Sequence, residues 1–439
     1  MADIKIIGAG LAGCEAALWL ANNGVSVKIF EQKPTKYSPA HKKATYAELV
    51  CSNSLKADRL DSASGLLKAE MKLLGSSILP VAESCRVAAG GALAVDRDDF
   101  SDAVTALVKA HPLIETAEGE VTQIDANELT LIATGPLTQG ALADEIMRLT
   151  GEAALSFYDA AAPIVTAESL DMTKIFAASR YGRGTADYLN CPFDKAGYEE
   201  FCTELQNAER APLHGADANL TVYEGCMPIE IMAKRGADTM RYGPLRPVGL
   251  VNPETGHRPW ANVQLRAENK EGTLYNIVGF QTNLKFGEQK RVFSMIPGLA
   301  NAEFARYGVM HRNTFINSPR LLTAGLSLKK YPNVYFAGQI TGFEGYMESA
   351  ASGLLAAHAI KNTLDGRAAP RYPESTMCGA LLKYIAAETK DFQPMGANMG
   401  ILPPLENQIR DKRLRYEALA NRAVDAMNNH LKCDTEEET

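Results

Sequence analysis

The first thirty residues change rhythm twice. Asp3-Ile4-Lys5-Ile6-Ile7-Gly8 is a short apolar run that reads as a buried strand. Residues 11–23 are rich in Ala and Leu and read as a helix, which Gly24 is placed to end. Residues 25–31 alternate apolar and polar as a second strand. Together they form a β-α-β unit of about 30 residues. The pattern then predicts a helix near 99–110 and strands near 119–124 and 128–134. Residues 151–320 hold many Pro, Gly and Tyr residues and short strand-like runs without β-α alternation, so they read as an inserted α+β domain. A buried strand returns at 333–337, followed by Gly338 and a small-residue helix at 347–360. A loop-rich stretch with Pro370, Pro373 and Pro394 comes next. Pro403-Pro404 is expected to open a last amphipathic helix with Leu405, Ile409, Tyr416, Leu419, Ala423 and Met427 on one stripe, and the acidic end 434–438 to fray. At 439 residues the chain exceeds a single core. The expected partition is 1–150, 151–320, 321–365 closing the first domain, and 366–439 as a C-terminal loop and helix.

Between the first strand and helix lies Gly8-Ala9-Gly10-Leu11-Ala12-Gly13, a G-x-G-x-x-G in the strand-before, helix-after context that gives it meaning. The first glycine permits the tight turn, the second lets backbone approach a pyrophosphate, and the third lets helix and strand pack closely. The helix N-terminus offers free N–H groups to phosphates. Glu31, ending the second strand, suits a ribose hydroxyl. The fingerprint alone does not separate FAD from NAD. Leu131-Ile132-Ala133-Thr134-Gly135 resembles the second motif of many FAD enzymes. Phe336-Ala337-Gly338-Gln339, with Gly345 and Ser349-Ala350-Ala351-Ser352-Gly353, resembles their third. The expected fold class is therefore α/β, an FAD-binding Rossmann-like domain of the glutathione-reductase type carrying the insert. Its cofactor-binding candidates are the fingerprint residues Gly8 to Gly13 with Glu31, Gly135, Gly338, Gln339 and Gly345.

Composition narrows the class. Net charge is −7, from 45 Lys plus Arg against 52 Asp plus Glu, which by itself disfavours a nucleic-acid partner. No apolar run approaches the ~18 residues a bilayer span needs, and Met1-Ala2-Asp3-Ile4-Lys5 lacks a signal-peptide layout, so the expectation is a cytoplasmic protein with no membrane association. The eight cysteines, at 14, 51, 85, 191, 202, 226, 378 and 433, form no Cys-x-x-Cys, and no metal site is expected. His-Glu-x-x-His, Gly-x-Ser-x-Gly and P-loop patterns are absent.

Several further segments match one family. They are Ala47-Glu48-Leu49-Val50-Cys51-Ser52-Asn53-Ser54, the run 89–97 ending Val95-Asp96-Arg97, Tyr223-Glu224-Gly225-Cys226-Met227-Pro228-Ile229-Glu230, Val278-Gly279-Phe280-Gln281-Thr282, His311-Arg312-Asn313-Thr314 and Phe392-Gln393-Pro394-Met395. From residue 3 to about residue 415 the chain resembles the bacterial folate- and FAD-dependent tRNA (uracil-5-)-methyltransferases, the FADH2-oxidising type. The resemblance implies methylenetetrahydrofolate as carbon donor, reduced FAD and NAD(P)H as electron sources, and 5-methyluridine at position 54 of the tRNA T-loop as product. It implies Cys226 and Cys51 as catalytic thiols, and His311, Glu344 and Tyr346 in the folate pocket.

The chemistry agrees. C5 of uracil is a poor nucleophile, and a thiolate adding at C6 turns the ring into an enolate whose C5 can attack an electrophilic methylene. A base must then take the C5 proton. Cys226 is the candidate for the C6 nucleophile and Cys51 for the second thiol, with that division left open. Glu48, Glu224 and Glu230 are further candidates for moving protons. The other six cysteines read as buried small side chains. Cations that could meet RNA are Lys33, Lys36, Lys42 and Lys43, then Arg235, Arg241, Arg246 and Arg258 in the insert, and Arg410, Lys412, Arg413 and Arg415 near the end. Three alternatives stay open: the same chemistry on ribosomal RNA, a flavin oxidoreductase acting on a small molecule, and a non-enzymatic flavin module. The oligomeric state is not legible.

Overall fold

A computed structural model describes residues 3–38, 40–182, 185–212, 227–389 and 392–437. The strand Ile4–Ile7 is the centre of a five-stranded parallel sheet in the order Val334–Phe336, Thr130–Ile132, Ile4–Ile7, Val27–Glu31, Ile114–Glu118. The edge strand Val334–Phe336 is contributed about two hundred residues after its neighbour. The chain therefore leaves this sheet, builds a second one and returns.

The helix Leu11–Asn22 that follows the fingerprint is buried nearly all round. A helix apolar on every face must be covered on every face. The sheet covers one side, and the closing helix Tyr346–Leu364 crosses the other. The two helices touch through backbone. A Cβ on Gly353 would lie 2.1 Å from the carbonyl oxygen of Ala12, and one on Gly13 would lie 1.9 Å from that of Gly8. Within this apolar helix Glu15 is fully buried, and its carboxylate accepts from Ser76 Oγ at 2.7 Å and from the backbone N–H of Ser77 and Ile78 at the start of helix Ile78–Ser84. Burial pushes its pKa up to about 7.

The second sheet is antiparallel, in the order Phe176–Ala177, Tyr188–Phe193, Ala261–Ala267, Leu274–Ile277, Ile164–Thr166, Phe304–Arg306. Its own core is built on Phe193, Phe201, Phe280 and Phe293. One pair of antiparallel strands, Leu155–Ala160 with Met310–Phe315, carries the chain out to this sheet and back. No helix among the described residues is long and apolar enough to cross a membrane.

Four expectations need correction. The strand expected at 119–124 lies at Ile114–Glu118. It sits at the sheet edge, where Glu115, Thr116 and Glu118 can be solvated, so it lacks the apolar pattern of a central strand. The loop-rich C-terminal stretch contains the helix Met377–Ala386, whose first N–H groups donate to the buried carboxylate of Glu70 at 2.7 and 2.8 Å. The last helix is Lys412–Glu437, not one opened by Pro403-Pro404. Asp411 accepts from Leu414 N at 2.9 Å and starts it, while the diproline folds back along it and its carbonyls accept from Arg422. Leu405 and Ile409 are outside the helix, and its backbone stays helical to Glu437 rather than fraying at 434. Finally, Cys433 is exposed.

The helix contact makes a prediction. Gly353→Val forces the two helices apart and costs about 1–3 kcal/mol of unfolding free energy. Urea denaturation of the purified variant checks it, and an unchanged midpoint would show that the contact is slack.

Candidate active site

Two clefts meet at Leu137. The first, about 750 Å³, is lined by Gly8, Ala9, Gly10, Glu31, Thr134 and Thr138 among others. The second, about 1090 Å³, is lined by Cys51, Lys56, Asp159, Asn313, Gln339, Glu344, Gly345 and Tyr346 among others. Gly135 lies between Thr134 of one and Pro136 of the other.

The first cleft has the features of a dinucleotide cradle. Glu31 accepts from the backbone N–H of Ala9 at 2.9 Å and of Lys33 at 3.0 Å, so it holds the fingerprint turn in shape. Gly8 has φ +101, and a Cβ there would strike the Ala133 carbonyl at 2.6 Å. Gly10 differs. Its φ is −77, open to any residue, and a Cβ would meet nothing within 4 Å. The fold does not need glycine at position 10, whereas a pyrophosphate lying over the turn would. Leu11, Ala12 and Gly13 begin the helix behind it, and Gly338, whose N–H donates to Ser352 Oγ at 2.6 Å, packs against Ala12. The residues present fit FAD.

The second cleft is built around the thiol of Cys51, on a loop with a tie at each residue from Leu49 to Asn53. The Leu49 carbonyl accepts from Arg97 Nη1 at 2.9 Å, and the Val50 carbonyl from Arg306. Ser52 Oγ and Asn53 Oδ1 both accept from the buried guanidinium of Arg266, each at 2.8 Å. The three arginines come from three different elements, and Arg97 is itself paired with buried Glu268. Tyr346, at the start of the closing helix, supplies the last tie. Its Oη accepts from Cys51 N at 2.8 Å and Ser52 N at 3.3 Å, and lies 3.0 Å from Cys51 Sγ. With its lone pairs facing two N–H donors, the hydroxyl proton is directed at sulfur.

The cavity favours protonated groups. Burial, then the Asp159 carboxylate, pushes the Cys51 thiol up to about 11, against the opposing pull of Tyr346 and Arg97. Burial and Asp159 likewise push Glu344 up to about 8, with Gln339 Nε2, 3.0 Å away, pulling down. At neutral pH Cys51 is a thiol and Glu344 largely an acid, so each can give a proton, and each becomes a strong base once it has lost one. At the rim, Lys56 pairs at 2.7 Å with Glu348, whose side chain is fully buried and also accepts from Ala397 N at 3.0 Å. A Cβ on Gly345 would lie 2.1 Å from Glu348 Oε2.

Cys51, Gln339, Glu344, Gly345 and Tyr346 thus surround one space, and Gly8, Ala9, Gly10 and Glu31 the adjoining one. His311 is paired in register with Asp159 on the connecting strands. Cys226 and Glu224 lie outside the described residues. Glu230 is buried under Thr282 and Asn283, away from both clefts. Glu48 caps the N–H groups of Lys42 and Lys43. Several RNA candidates are committed elsewhere. Lys33 is buried against Glu48 and the Thr45 carbonyl, Lys36 pairs with Glu120, Lys43 with Asp98, and Arg241 lies 3.8 Å over the Trp260 ring. Sequence reasoning missed Arg97, Arg266, Arg306, Asp159, Asn313 and Lys56 as parts of the site. Arg97 and Asn313 stood inside the motifs already singled out.

The family model for "Glucose inhibited division protein A" matches residues 3–368. The chain is 56% identical over 429 residues to the methylenetetrahydrofolate–tRNA-(uracil-5-)-methyltransferase TrmFO of Acetivibrio thermocellus, covering 98% of each. It is 53% identical over 429 residues to the protein of the same name from Desulforamulus reducens, covering 98% of this chain and 97% of that one. Among solved structures, Aquifex aeolicus GidA superposes with a TM-score of 0.71 at 14% identity, covering 98% of this chain and 73% of that chain, a likeness of fold.

Two expectations follow from the geometry. Gly10→Val leaves the fold intact and removes FAD, measured by circular dichroism and by visible absorbance of the purified protein; a full complement of flavin would refute the cradle. Alkylation of Cys51 by iodoacetamide, followed by mass spectrometry, should rise with pH toward a midpoint near 11. In Tyr346→Phe, which loses the donor to the thiolate, that midpoint moves higher. A midpoint at the ordinary thiol value of about 8.5 would contradict the geometry.

Proposed function

The chain belongs to the glucose inhibited division protein A family and, within it, to the methylenetetrahydrofolate–tRNA-(uracil-5-)-methyltransferases, and on that premise we propose that it methylates C5 of a tRNA uridine in a reaction that uses methylenetetrahydrofolate and FAD. The target uridine is position 54 of the T-loop, the reductant of the flavin is NAD(P)H, and the enzyme works in the cytoplasm with its RNA. The observation that carries the reading is the meeting of a dinucleotide cradle with a cavity that holds a tethered thiol and a raised carboxyl, in a chain 56% identical to a named tRNA methyltransferase.

The balance is simple. Uridine loses the C5 hydrogen and gains a methyl group. The one-carbon unit arrives one two-electron step above methyl, tetrahydrofolate leaves, and reduced flavin becomes oxidised. When bound in the first cleft, reduced FAD would supply those two electrons. The protein's own groups do the rest. Cys226 adds to C6 and makes C5 nucleophilic. Cys51, adjoining Tyr346 Oη, takes the C5 proton in its thiolate form, a strong base because its surroundings favour the thiol. Glu344, neutral at the pH of the reaction, donates a hydrogen bond to a ring nitrogen or carbonyl of the pterin. Tyr346 bounds the same space, and His311 is the family's further candidate for the folate pocket. A base inside a folded T-loop must be exposed to reach this enclosed site.

The decisive assay supplies labelled methylenetetrahydrofolate, FAD and NADPH to unmodified tRNA and ribosomal RNA side by side. Label in 5-methyluridine of tRNA is the expected outcome, and Cys226→Ala abolishes it while the protein stays yellow. Label in ribosomal RNA alone would move the target, and full activity of Cys226→Ala would remove that thiol from the mechanism.

A further inference from the structure

The protein carries a net charge of −7, yet residues 231–260 hold five Lys and Arg against two carboxylates. One place in this region gathers cations without neutralising them. Arg180 Nη1 donates to the carbonyl oxygens of Arg246 at 2.5 Å and Val248 at 2.9 Å, and its Nε to Gln264 Oε1 at 3.1 Å. These bonds fix the guanidinium against neutral acceptors, one of them the backbone carbonyl of a second arginine. Arg246 is exposed. Neither Arg180 nor Arg246 has a carboxylate partner among the described residues, whereas Lys33, Lys36, Lys43 and Arg241 all have one. The charged group acting most strongly on Arg180 is Arg246, with Tyr181 and Tyr188 the other neighbours. Two neighbouring cations without carboxylate partners among the described residues attract an anion.

Tyr181 adds a second, independent observation. It has φ +59, a left-handed backbone that a bulky residue rarely adopts. Its ring lies over Gly249, where a Cβ would be only 3.0 Å away, and the residue is still 58% exposed. A strained backbone that presents a ring to solvent beside a cation pair is the arrangement used to stack an unpaired base while its phosphate is neutralised.

The place is tied to the thiol loop through one strand. Gln264, which holds Arg180, and Arg266, which holds Ser52 and Asn53, lie two residues apart on the strand Ala261–Ala267. They therefore share a face and stand about 7 Å apart along it. We propose that Arg180 and Arg246 clamp a phosphate of the substrate tRNA, with Tyr181 stacking on an adjoining base, a few nucleotides from the uridine delivered to Cys51. This rests on tRNA being the substrate.

The test uses the full, FAD-loaded chain and fluorescently labelled unmodified tRNA, with binding read by anisotropy over a series of KCl concentrations. Flavin content and flavin reduction by NADPH serve as the readout of intact folding. Arg246→Ala, whose side chain is exposed and has no ion pair among the described residues, raises Kd about tenfold and lowers the slope of log K against log [KCl] by about 1. Arg180→Ala does the same. Tyr181→Ala weakens binding about tenfold with the slope unchanged, and Tyr181→Phe restores it. In methyl transfer these variants raise KM for tRNA and keep kcat. Wild-type affinity and slope in Arg246→Ala and Arg180→Ala, with wild-type protein binding and methylating tRNA in the same assay, would overturn the clamp alone. Failure of the wild-type protein to bind or methylate tRNA would overturn the substrate reading, and the clamp with it.

Discussion

Two backbones meet in this protein with no side chain between them. The fingerprint helix presses its first turn against the closing helix so closely that Gly353 and Ala12 leave no room for even a methyl group. Everything at the site is placed from that contact. It fixes where the closing helix begins, and hence where Gly345 and Tyr346 stand. Tyr346 then reaches across to Cys51, nearly three hundred residues earlier in the chain, and ties the thiol loop from one side while three arginines tie it from others. A loop free in solution would spend conformational entropy on each encounter with a substrate; this one has been ordered in advance.

The cavity's electrostatics follow from enclosure more than from any single charge. Burial is the largest influence on both Cys51 and Glu344, and it acts in the same direction on each. Arg97 opposes it at the thiol, and Gln339 at the carboxyl. The result is a space where the Cys51 thiol and the Glu344 carboxyl stay protonated at neutral pH beside the charged Asp159 carboxylate and the Lys56–Glu348 pair.

What could be read from the sequence was local. The fingerprint, its strand and its acid lie within thirty residues, and each has a physical reason that needs no knowledge of the rest. The edge strand Ile114–Glu118 was misplaced because an edge does not demand an apolar pattern. The start of the last helix was misplaced because a diproline can cap a helix or lie along one, and Arg422 decides between the two from 18 residues further on. The arginine cage around Cys51 was illegible for a stronger reason. Arg266 contacts Asn53 across 213 residues, and nothing in either segment alone announces the other. Motif matching brought Cys51, Glu344 and Tyr346 to notice, but not that Tyr346 faces the thiol itself.

The paired strands Leu155–Ala160 and Met310–Phe315 have a mechanical side. They form the bridge over which the chain passes to the antiparallel sheet and returns, and Asp159 and Asn313, which line the cavity, are carried on that bridge. Hydrogen-bonded ribbons flex across their flat face far more easily than they slide in register, because sliding breaks the whole ladder at once. The outer sheet is held to the first domain by this ladder and by Arg266 and Arg306, so any tilt would strain the ties on the thiol loop as well. Any such tilt pivots on the wall of the reaction chamber. That wall is thus also the hinge line between the two sheets, and the Asp159 carboxylate that helps hold the thiol and Glu344 in their protonated states sits on it.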